Sequence, residues 1–290
     1  MFASLRGDRL VCAGWFIDSP EGSPRIHSEG VMSEACPHDL IPSIKQAGEL
    51  LMKLWPTASS EDNGLQVRSK GDGTLVSQAD MQSNEVILSA IKKLFPRDVI
   101  LSEESPIEPA LLAQSRRTWV VDPLDGTSSF LHGRDDFSIL VALCEAFVPT
   151  FGVMFFPARN LLVVAERGRG AIANGVALAV STAQQLHSGR VYIRNFECLR
   201  SEVASPMMDS GLALLKVANG ELDGAIIRME THREWDLAAP IVAIQEAGGR
   251  VSTETDTEIP CGRGQIDFDY VVASNGSVHQ ALQALIPLRA

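Results

Sequence analysis

Two aspartates and a Gly-Thr pair stand together in the stretch Asp122–Thr127, directly after the apolar run Trp119–Val121. A buried strand that ends in this way places two carboxylates and several backbone N–H groups at a strand-to-helix junction. Hard divalent cations prefer such oxygen ligands, and the start of a helix favours a phosphate. The stretch therefore indicates a site for a cation and a phosphate, although a loop with helix-capping carboxylates would show the same pattern.

Further acids occupy similar positions elsewhere in the chain. Glu103 follows the short apolar run Val99–Leu101, so we expect its carboxylate to reach the same sheet end as Asp122. Asp236 stands at the start of an apolar helical stretch, where a simple N-cap would explain it equally well. Together these acids predict a carboxylate cluster assembled from separate elements.

The elements that must position these acids alternate between helices and strands, which predicts an α/β (α+β) fold. Helical spacing of apolar residues predicts helices over Leu40–Leu54, Met81–Phe95, Gly211–Ala218, Leu237–Ala247 and Val278–Leu285. Short apolar or β-rich runs predict strands at Val99–Leu101, Trp119–Val121, Phe137–Leu143, Phe151–Phe156, Leu161–Ala165, Ala225–Ile227 and Tyr270–Val272.

Length and charge limit the class of protein. The chain has 290 residues, a formal net charge of −11 and 45% hydrophobic residues, which suits a globular enzyme rather than a fibrous protein. The acidic balance argues against a nucleic-acid polymer as partner. No apolar run is long enough to span a membrane, and the five scattered cysteines fit reduced thiols in the cytoplasm.

A weak boundary near residues 181–189 divides the patterned chain. We expect an N-terminal α+β half over residues 37–182, with the metal and phosphate loops, and a C-terminal half over 183–290, with the substrate-recognition segment. Residues 1–36, rich in Gly, Ser and Pro, are a leader to which no chemistry is assigned; its composition is compatible with disorder, and Met32 is an alternative start.

The acids and their neighbours fall in four motifs that resemble, as a set, those of the inositol monophosphatase family, the magnesium-dependent, lithium-sensitive phosphatases. The motifs are KGDGTLVSQAD at Lys70–Asp80, SEES at Ser102–Ser105, DPLDGTSSF at Asp122–Phe130 and WDLAA at Trp235–Ala239. The resemblance begins near Leu40 and implies a layered αβαβα sandwich, two or three Mg²⁺ ions per site and a small phosphate ester as substrate. It also allows a homodimer.

The resemblance implies a set of metal ligands. Glu103, Asp122 and the backbone carbonyl of Leu124 would bind one Mg²⁺, and Asp122, Asp125 and Asp236 would bind a second. Two such ions can bracket an in-line displacement at phosphorus.

It also implies how water and phosphate are held. Glu103 and the Thr127 hydroxyl would orient the attacking water, with Asp80 polarising Thr127, and no covalent enzyme intermediate would form. Backbone N–H groups around Gly126, Thr127 and Ser128 would hold the phosphate oxygens, and glycine permits close approach there.

The leaving-group segment departs from the family pattern. Asp209 replaces a glycine in this comparison, and Ala213 falls where the adenosine 3′,5′-bisphosphate phosphatases carry a lysine. Our leading substrate is inositol-1-phosphate, because Ser128–Gly133 is close to the family's TNFxHG and Glu230 can accept hydroxyl hydrogen bonds. The alternative is adenosine 3′,5′-bisphosphate, whose second phosphate Arg228 could pair.

The same residues allow other interpretations. Histidinol phosphate and fructose-1,6-bisphosphate fit the same chemistry, and a catalytically silent binding protein is the alternative from another class. Gly168–Gly170 imitates a dinucleotide-binding loop, but Asn174 and Gly175 favour a hairpin. We expect Glu104 to be solvated, the pair Asp135 and Asp136 to form a turn, and the histidines to occupy loop or surface positions: His132, His187, His232 and His279.

Overall fold

The computed structural model describes residues 35–56, 67–69, 75–187, 189–194 and 208–286. Residues 1–34 of the predicted leader and residues 70–74 of the motif at Lys70–Asp80 lie outside the described residues. The division of the chain at residues 182 and 183 stays a prediction.

Helices and strands alternate along the described residues. After a 3₁₀ turn at Pro37–Leu40, the helices are α1 (Ile41–Leu54), α2 (Gln78–Leu94), α3 (Pro109–Gln114), α4 (Thr127–Leu131), α5 (Ser210–Ala218), α6 (Glu234–Glu246) and α7 (His279–Gln283). The strands are β1 (Val67–Ser69), β2 (Leu75–Ser77), β3 (Val99–Ser102), β4 (Arg117–Asp125), β5 (Ser138–Glu145), β6 (Val148–Phe156), β7 (Leu161–Glu166), β8 (Gly170–Ala173), β9 (Val176–Ala177), β10 (Val191–Arg194), β11 (Gly224–Arg228), β12 (Arg250–Thr253) and β13 (Tyr270–Ser274).

The larger sheet of the described chain has seven strands in the order β3 to β9. Strands β3 and β4 are parallel, and the remaining neighbours are antiparallel. Side chains alternate across this sheet as the two-residue period of a strand requires. Trp119 and Val121 pack with α1 and α2 on one face, whereas Val120 packs with α5 and α6 on the other.

A second sheet completes the layers. Its described strands follow the order β10-β11-β13-β12, with Ala225 and Ile227 facing α5 and α6 and with Ile226 facing α7. The succession α1 and α2, large sheet, α5 and α6, small sheet, α7 is the αβαβα sandwich, so the predicted fold class is confirmed.

Helix α6 lies close against the large sheet because Gly152 of β6 has no side chain. A Cβ at this position would meet the Ala239 carbonyl oxygen at 2.9 Å. This contact fixes the distance between α6 and the large sheet. It therefore also positions Asp236, which precedes Ala239 by three residues, relative to the end of β4.

Among the element boundaries that differ from the sequence prediction, two position residues of the acidic cluster or its neighbours. Helix α2 begins at Gln78 rather than Met81, because Ser77 and Asp80 form a capping box at its start. Strand β4 continues to Asp125, with an irregularity in its pairing to β5 between Asp122 and Asp125. In the described residues, no helix combines the length and apolar character needed to cross a membrane.

Candidate active site

The irregular end of β4 places both of its aspartates in the same buried region. Asp122 pairs with Leu140 and Asp125 pairs with Ser138, so an interval of three residues on β4 is matched by an interval of two residues on β5. Such a bulge changes the direction of side chains at the end of a strand. Asp122 and Asp125 are both buried, and the Ser138 hydroxyl donates to Asp125 Oδ2 across 2.9 Å.

Two other elements bring carboxylates to this place. Asp236, in the first turn of α6, supplies an oxygen that lies with those of Asp122 and Asp125 within 4.8 Å of one another. Glu103 follows β3, and its N–H donates to the carbonyl of Val121 on the neighbouring parallel strand at 3.1 Å. The carboxyl ends of parallel strands thus meet, as the sequence predicts.

The carboxylates raise one another's pKa. Burial is the largest cause at Asp122, followed by the negative charges of Glu103, Asp125 and Asp236, and it raises the pKa of Asp122 well above its ordinary value. The pKa of Asp125 is also well raised. Burial raises the pKa of Asp236 to about 7. A nearby cation favours the charged form of such acids.

A threonine and a third buried aspartate lie beside the cluster. The Thr127 hydroxyl is 2.9 Å from Asp80 Oδ1 and 3.2 Å from the Leu124 carbonyl. Asp80 Oδ2 accepts from the Ser77 N–H at 2.8 Å, which fixes the carboxylate at the start of α2. Burial raises the pKa of Asp80, while its hydrogen bonds to Ser77 and Thr127 oppose that shift.

The turn between β4 and α4 carries the residues predicted to hold phosphate. Gly126 has φ of +80°, a left-handed conformation that glycine adopts without strain, and Thr127 begins the five-residue α4. Thr127 is partly exposed and Ser128 exposed, so this turn borders both solvent and the acids.

The segment before α5 also reaches the cluster, which sequence reasoning did not anticipate. A Cβ on Gly211 would overlap the Asp125 carboxylate, so α5 packs directly against that side chain. Asp209 is buried, and its negative charge adds to burial in raising the pKa of Asp125. Only its place in the leaving-group segment signalled a role.

Comparison with known proteins agrees with this geometry. The model of the inositol monophosphatase family matches residues 39–287. The chain belongs to that family. An inositol-1-monophosphatase of Mesorhizobium japonicum is 36% identical, with 77% of this chain and 86% of that protein covered.

Other members of the family are similar over most of their length. A histidinol-phosphatase of Chlorobaculum parvum is 33% identical over 71% of this chain and 80% of its own. A solved Thermotoga maritima inositol monophosphatase has a TM-score of 0.73 at 26% identity, covering 84% of this chain and 93% of that one. Family members hydrolyse phosphomonoesters, and this protein is accordingly a phosphatase.

In this inositol monophosphatase family member, the two residues predicted to bind the leaving group contact each other. Arg228 ends β11 and its Nη1 is 3.5 Å from Glu230 Oε2; both side chains are exposed. They line a cavity of about 410 Å³ with Arg233, whose N–H donates to Asp236 Oδ2 across 2.5 Å. Among the described residues, no hydrogen bond or ion pair joins Arg228 or Glu230 to Asp122, Asp125 or Asp236.

His279 contradicts the expectation of loop or surface positions, whereas His232 lies in the loop before α6 but is buried there. His232 is buried with its Nε2 3.1 Å from the Ser210 hydroxyl, and burial lowers its pKa to about 4. His279 is buried between Ser252 and Ser274. Long-range strand and helix pairing encloses both rings, which local sequence does not reveal. His132 and His187 are exposed, as predicted.

Of the remaining predictions, the one for Asp136 is wrong and the one for the hairpin is confirmed. Asp136 is not a plain turn residue, because it is buried and its Oδ2 accepts from Arg134 and from the Asp209 N–H at 2.8 Å. Glu104 is partly exposed. The segment after Gly168–Gly170 forms the predicted hairpin, β8 and β9, and the N–H groups of Gly168 and Gly170 donate to the Glu246 carboxylate. They are therefore not available to a nucleotide phosphate.

Proposed function

We propose that this phosphatase is a Mg²⁺-dependent enzyme that hydrolyses a small phosphate monoester by attack of an oriented water, and that inositol-1-phosphate is its substrate. One observation carries the proposal. The acids of β4 and α6 lie within 4.8 Å of one another, directly beside the hydrogen bond from Thr127 to Asp80. A cation site and a means of orienting water are thus adjacent.

The donor set fits Mg²⁺. Its ligands would be carboxylate oxygens of Glu103, Asp122, Asp125 and Asp236, with the carbonyl of Leu124, and hard oxygen donors suit that ion. Burial and the neighbouring negative charges raise the pKa of Asp122, and a bound cation would offset both effects. When bound, Mg²⁺ increases the acidity of water and balances charge at the phosphate. We propose two or three ions per site.

The chain's own residues orient the nucleophile. Asp80 accepts a hydrogen bond from the Thr127 hydroxyl, so the lone pairs of the Thr127 oxygen can accept a hydrogen bond from water. The Glu103 carboxylate is the second acceptor. A water held by both presents an oxygen lone pair to phosphorus, and its proton leaves toward Glu103.

The turn from Gly126 to Ser128 holds the phosphate. Its N–H groups lie at the start of α4, and because Gly126 carries no Cβ the backbone can approach phosphate oxygens closely. Negative charge that develops on those oxygens is stabilised by the same groups.

Two findings support inositol-1-phosphate as the substrate over the bisphosphate. The relative of 36% identity is named an inositol-1-monophosphatase. Arg228, the residue that would pair a second phosphate, lies 3.5 Å from Glu230, which neutralises part of its charge. Histidinol phosphate remains an alternative substrate, because a relative of 33% identity is named for that activity.

Phosphate release tests the function directly. Purified protein is given inositol-1-phosphate, histidinol phosphate, adenosine 3′,5′-bisphosphate and fructose-1,6-bisphosphate, each with and without Mg²⁺. We expect the release of phosphate to depend on Mg²⁺, and we expect the highest kcat/KM for inositol-1-phosphate. Release from none of them would favour the silent binding protein, whereas a higher kcat/KM for another ester would replace the substrate but keep the chemistry.

A further inference from the structure

Two neighbouring polar side chains of α2, Ser83 and Asn84, are buried and have no role in the mechanism above. They follow Asp80 by three and four residues, so the three side chains share one face of the helix. That face is turned toward the acidic cluster, because Asp80 accepts a hydrogen bond from Thr127 there. Burying a hydroxyl or an amide is unfavourable unless it is hydrogen-bonded, so the partners of Ser83 and Asn84 show what α2 holds in place.

The Asn84 amide joins the two ends of the turn that carries Glu103. Its Nδ2 donates to the Ser105 hydroxyl at 3.0 Å, and its Oδ1 accepts from the Ser102 hydroxyl at 2.7 Å. The N–H of Ser105 also donates to the carbonyl of Ser102 at 3.2 Å, which closes the turn. One side chain of α2 therefore binds both ends of a four-residue turn whose second residue is a proposed metal ligand.

The Ser83 hydroxyl ties the same part of α2 to β4. It donates to the carbonyl of Pro123 at 2.7 Å. Pro123 lies next to Asp122 in the irregular part of the pairing with β5, and α2 supplies a partner for its carbonyl there. Because Asn84 holds the turn of Glu103 and Ser83 holds the strand beside Asp122, one helix fixes both segments relative to each other.

These hydrogen bonds oppose the repulsion between the two acids. After burial, the negative charge of Glu103 is the next largest cause of the raised pKa of Asp122, so the two carboxylates lie close enough to repel each other. A turn that could move would carry Glu103 away from Asp122, and a cation would have to reverse this movement when it binds. The amide of Asn84 is uncharged, so it restrains the turn without adding a further negative charge.

We propose that Asn84 is a positioning residue that holds the turn of Glu103 in the geometry that binds Mg²⁺. The inference rests on the proposed function, because it assumes that Glu103 is a metal ligand. Removing a hydrogen bond that orients a metal ligand typically weakens metal binding by about 10- to 100-fold. Loss of the Asn84 amide should therefore lower the affinity for Mg²⁺.

Calorimetric titration of the full chain with Mg²⁺, after removal of bound metal, tests the proposal without a substrate. Asn84→Ala should raise the Kd for Mg²⁺ about 10-fold or more, and phosphate release by this variant should recover as the Mg²⁺ concentration is increased. Asn275→Ala is the matched control, because Asn275 is also buried and uses both ends of its amide, bonding to Ser181 and Val278. The control should leave the Kd unchanged even if it lowers the Tm as much as Asn84→Ala does.

A double-mutant cycle shows whether Asn84 acts through Glu103. Glu103→Gln alone should weaken Mg²⁺ binding, and adding Asn84→Ala to it should raise the Kd by less than about twofold further. If Asn84→Ala does not fold, Ser105→Ala removes one of the two hydrogen bonds of the Asn84 amide and takes its place in the titration and the cycle.

The outcomes separate this inference from the proposed function. An unchanged Kd in Asn84→Ala, an equal rise of the Kd in Asn275→Ala, or effects of Asn84→Ala and Glu103→Gln that simply multiply would overturn the role of Asn84 alone. A wild type that binds no Mg²⁺ contradicts the proposed function instead.

Discussion

The Thr127 hydroxyl donates a hydrogen bond to Asp80 Oδ1 across 2.9 Å, joining the first turn of α4 to the first turn of α2. The same carboxylate caps α2 through Ser77. One aspartate therefore stabilises a helix and sets the direction of the threonine proton. This coupling places the Thr127 oxygen beside the acids of β4 as an acceptor.

Removing this hydroxyl should reduce turnover without preventing metal binding. Thr127→Val keeps the side-chain shape but loses the oxygen that would orient water, so we expect kcat to fall by about 10²-fold or more. Thr150→Val, which removes a hydroxyl that contacts Leu143 and Glu145, is the control. Steady-state kinetics with a Mg²⁺ titration measures both; an unchanged kcat in Thr127→Val would refute the role of Thr127.

Calcium should occupy the acids yet inhibit. Ca²⁺ takes more oxygen ligands at longer distances than Mg²⁺, so water and phosphate would be held at distances unsuited to displacement. We expect Ca²⁺ to suppress phosphate release in competition with Mg²⁺, and Li⁺, as the family resemblance implies, to inhibit as well. The measurement is phosphate release at fixed Mg²⁺ with increasing Ca²⁺. Full activity with Ca²⁺ alone would contradict the proposed coordination.

Stabilisation by Mg²⁺ should grow with pH. The pKa of Asp236 is about 7 in the folded chain, against an ordinary value of 3.8. Proton binding to Asp236 therefore stabilises the metal-free folded protein fully below pH 3.8, and this stabilisation is lost as the pH rises through about 7. Mg²⁺ requires the deprotonated acid. The Tm difference with and without Mg²⁺ should therefore be larger at about pH 8 than at about pH 5.5, and Asp236→Asn should weaken that trend. An equal difference at both pH values would contradict it.

His279 should contribute stability that acid removes. Its ring lies 2.8 Å from both Ser252 and Ser274 hydroxyls, and burial lowers its pKa from 6.5 to about 4. The unfolded chain therefore binds more protons between these values, so this stability is complete above pH 6.5 and is lost as pH falls to about 4. His279→Gln should cost about 1 to 3 kcal/mol at neutral pH and less at about pH 4.5, measured by urea unfolding. A cost independent of pH would show that protonation of His279 is not involved.

The sequence predicted what depends on strand order and local pattern. Glu103 and Asp122 meet because each follows a buried run and these strands are parallel neighbours. The position of Asp236 could be predicted because the sequence shows that it stands at the start of an apolar helix. Asp209 and His232 escaped prediction, since their burial and contacts arise from α5 packing against distant elements, which spacing along the chain does not encode.

The bulge in β4 also could not be predicted from the sequence. The apolar pattern predicts that the strand ends at Val121, whereas it continues through the irregular pairing to Asp125. The side-chain direction of Asp125 follows from the register with Ser138, so the cluster's final geometry depends on pairing between strands rather than on the motif alone.

The most direct test of the metal cluster is Asp122→Asn. Asp122 is proposed as the ligand shared by two ions, and asparagine keeps its size while removing its charge. We predict that calorimetry shows weakened Mg²⁺ binding, that phosphate release falls by several orders of magnitude, and that the circular dichroism spectrum matches wild type. Near-normal turnover of Asp122→Asn at subsaturating Mg²⁺ would contradict the account.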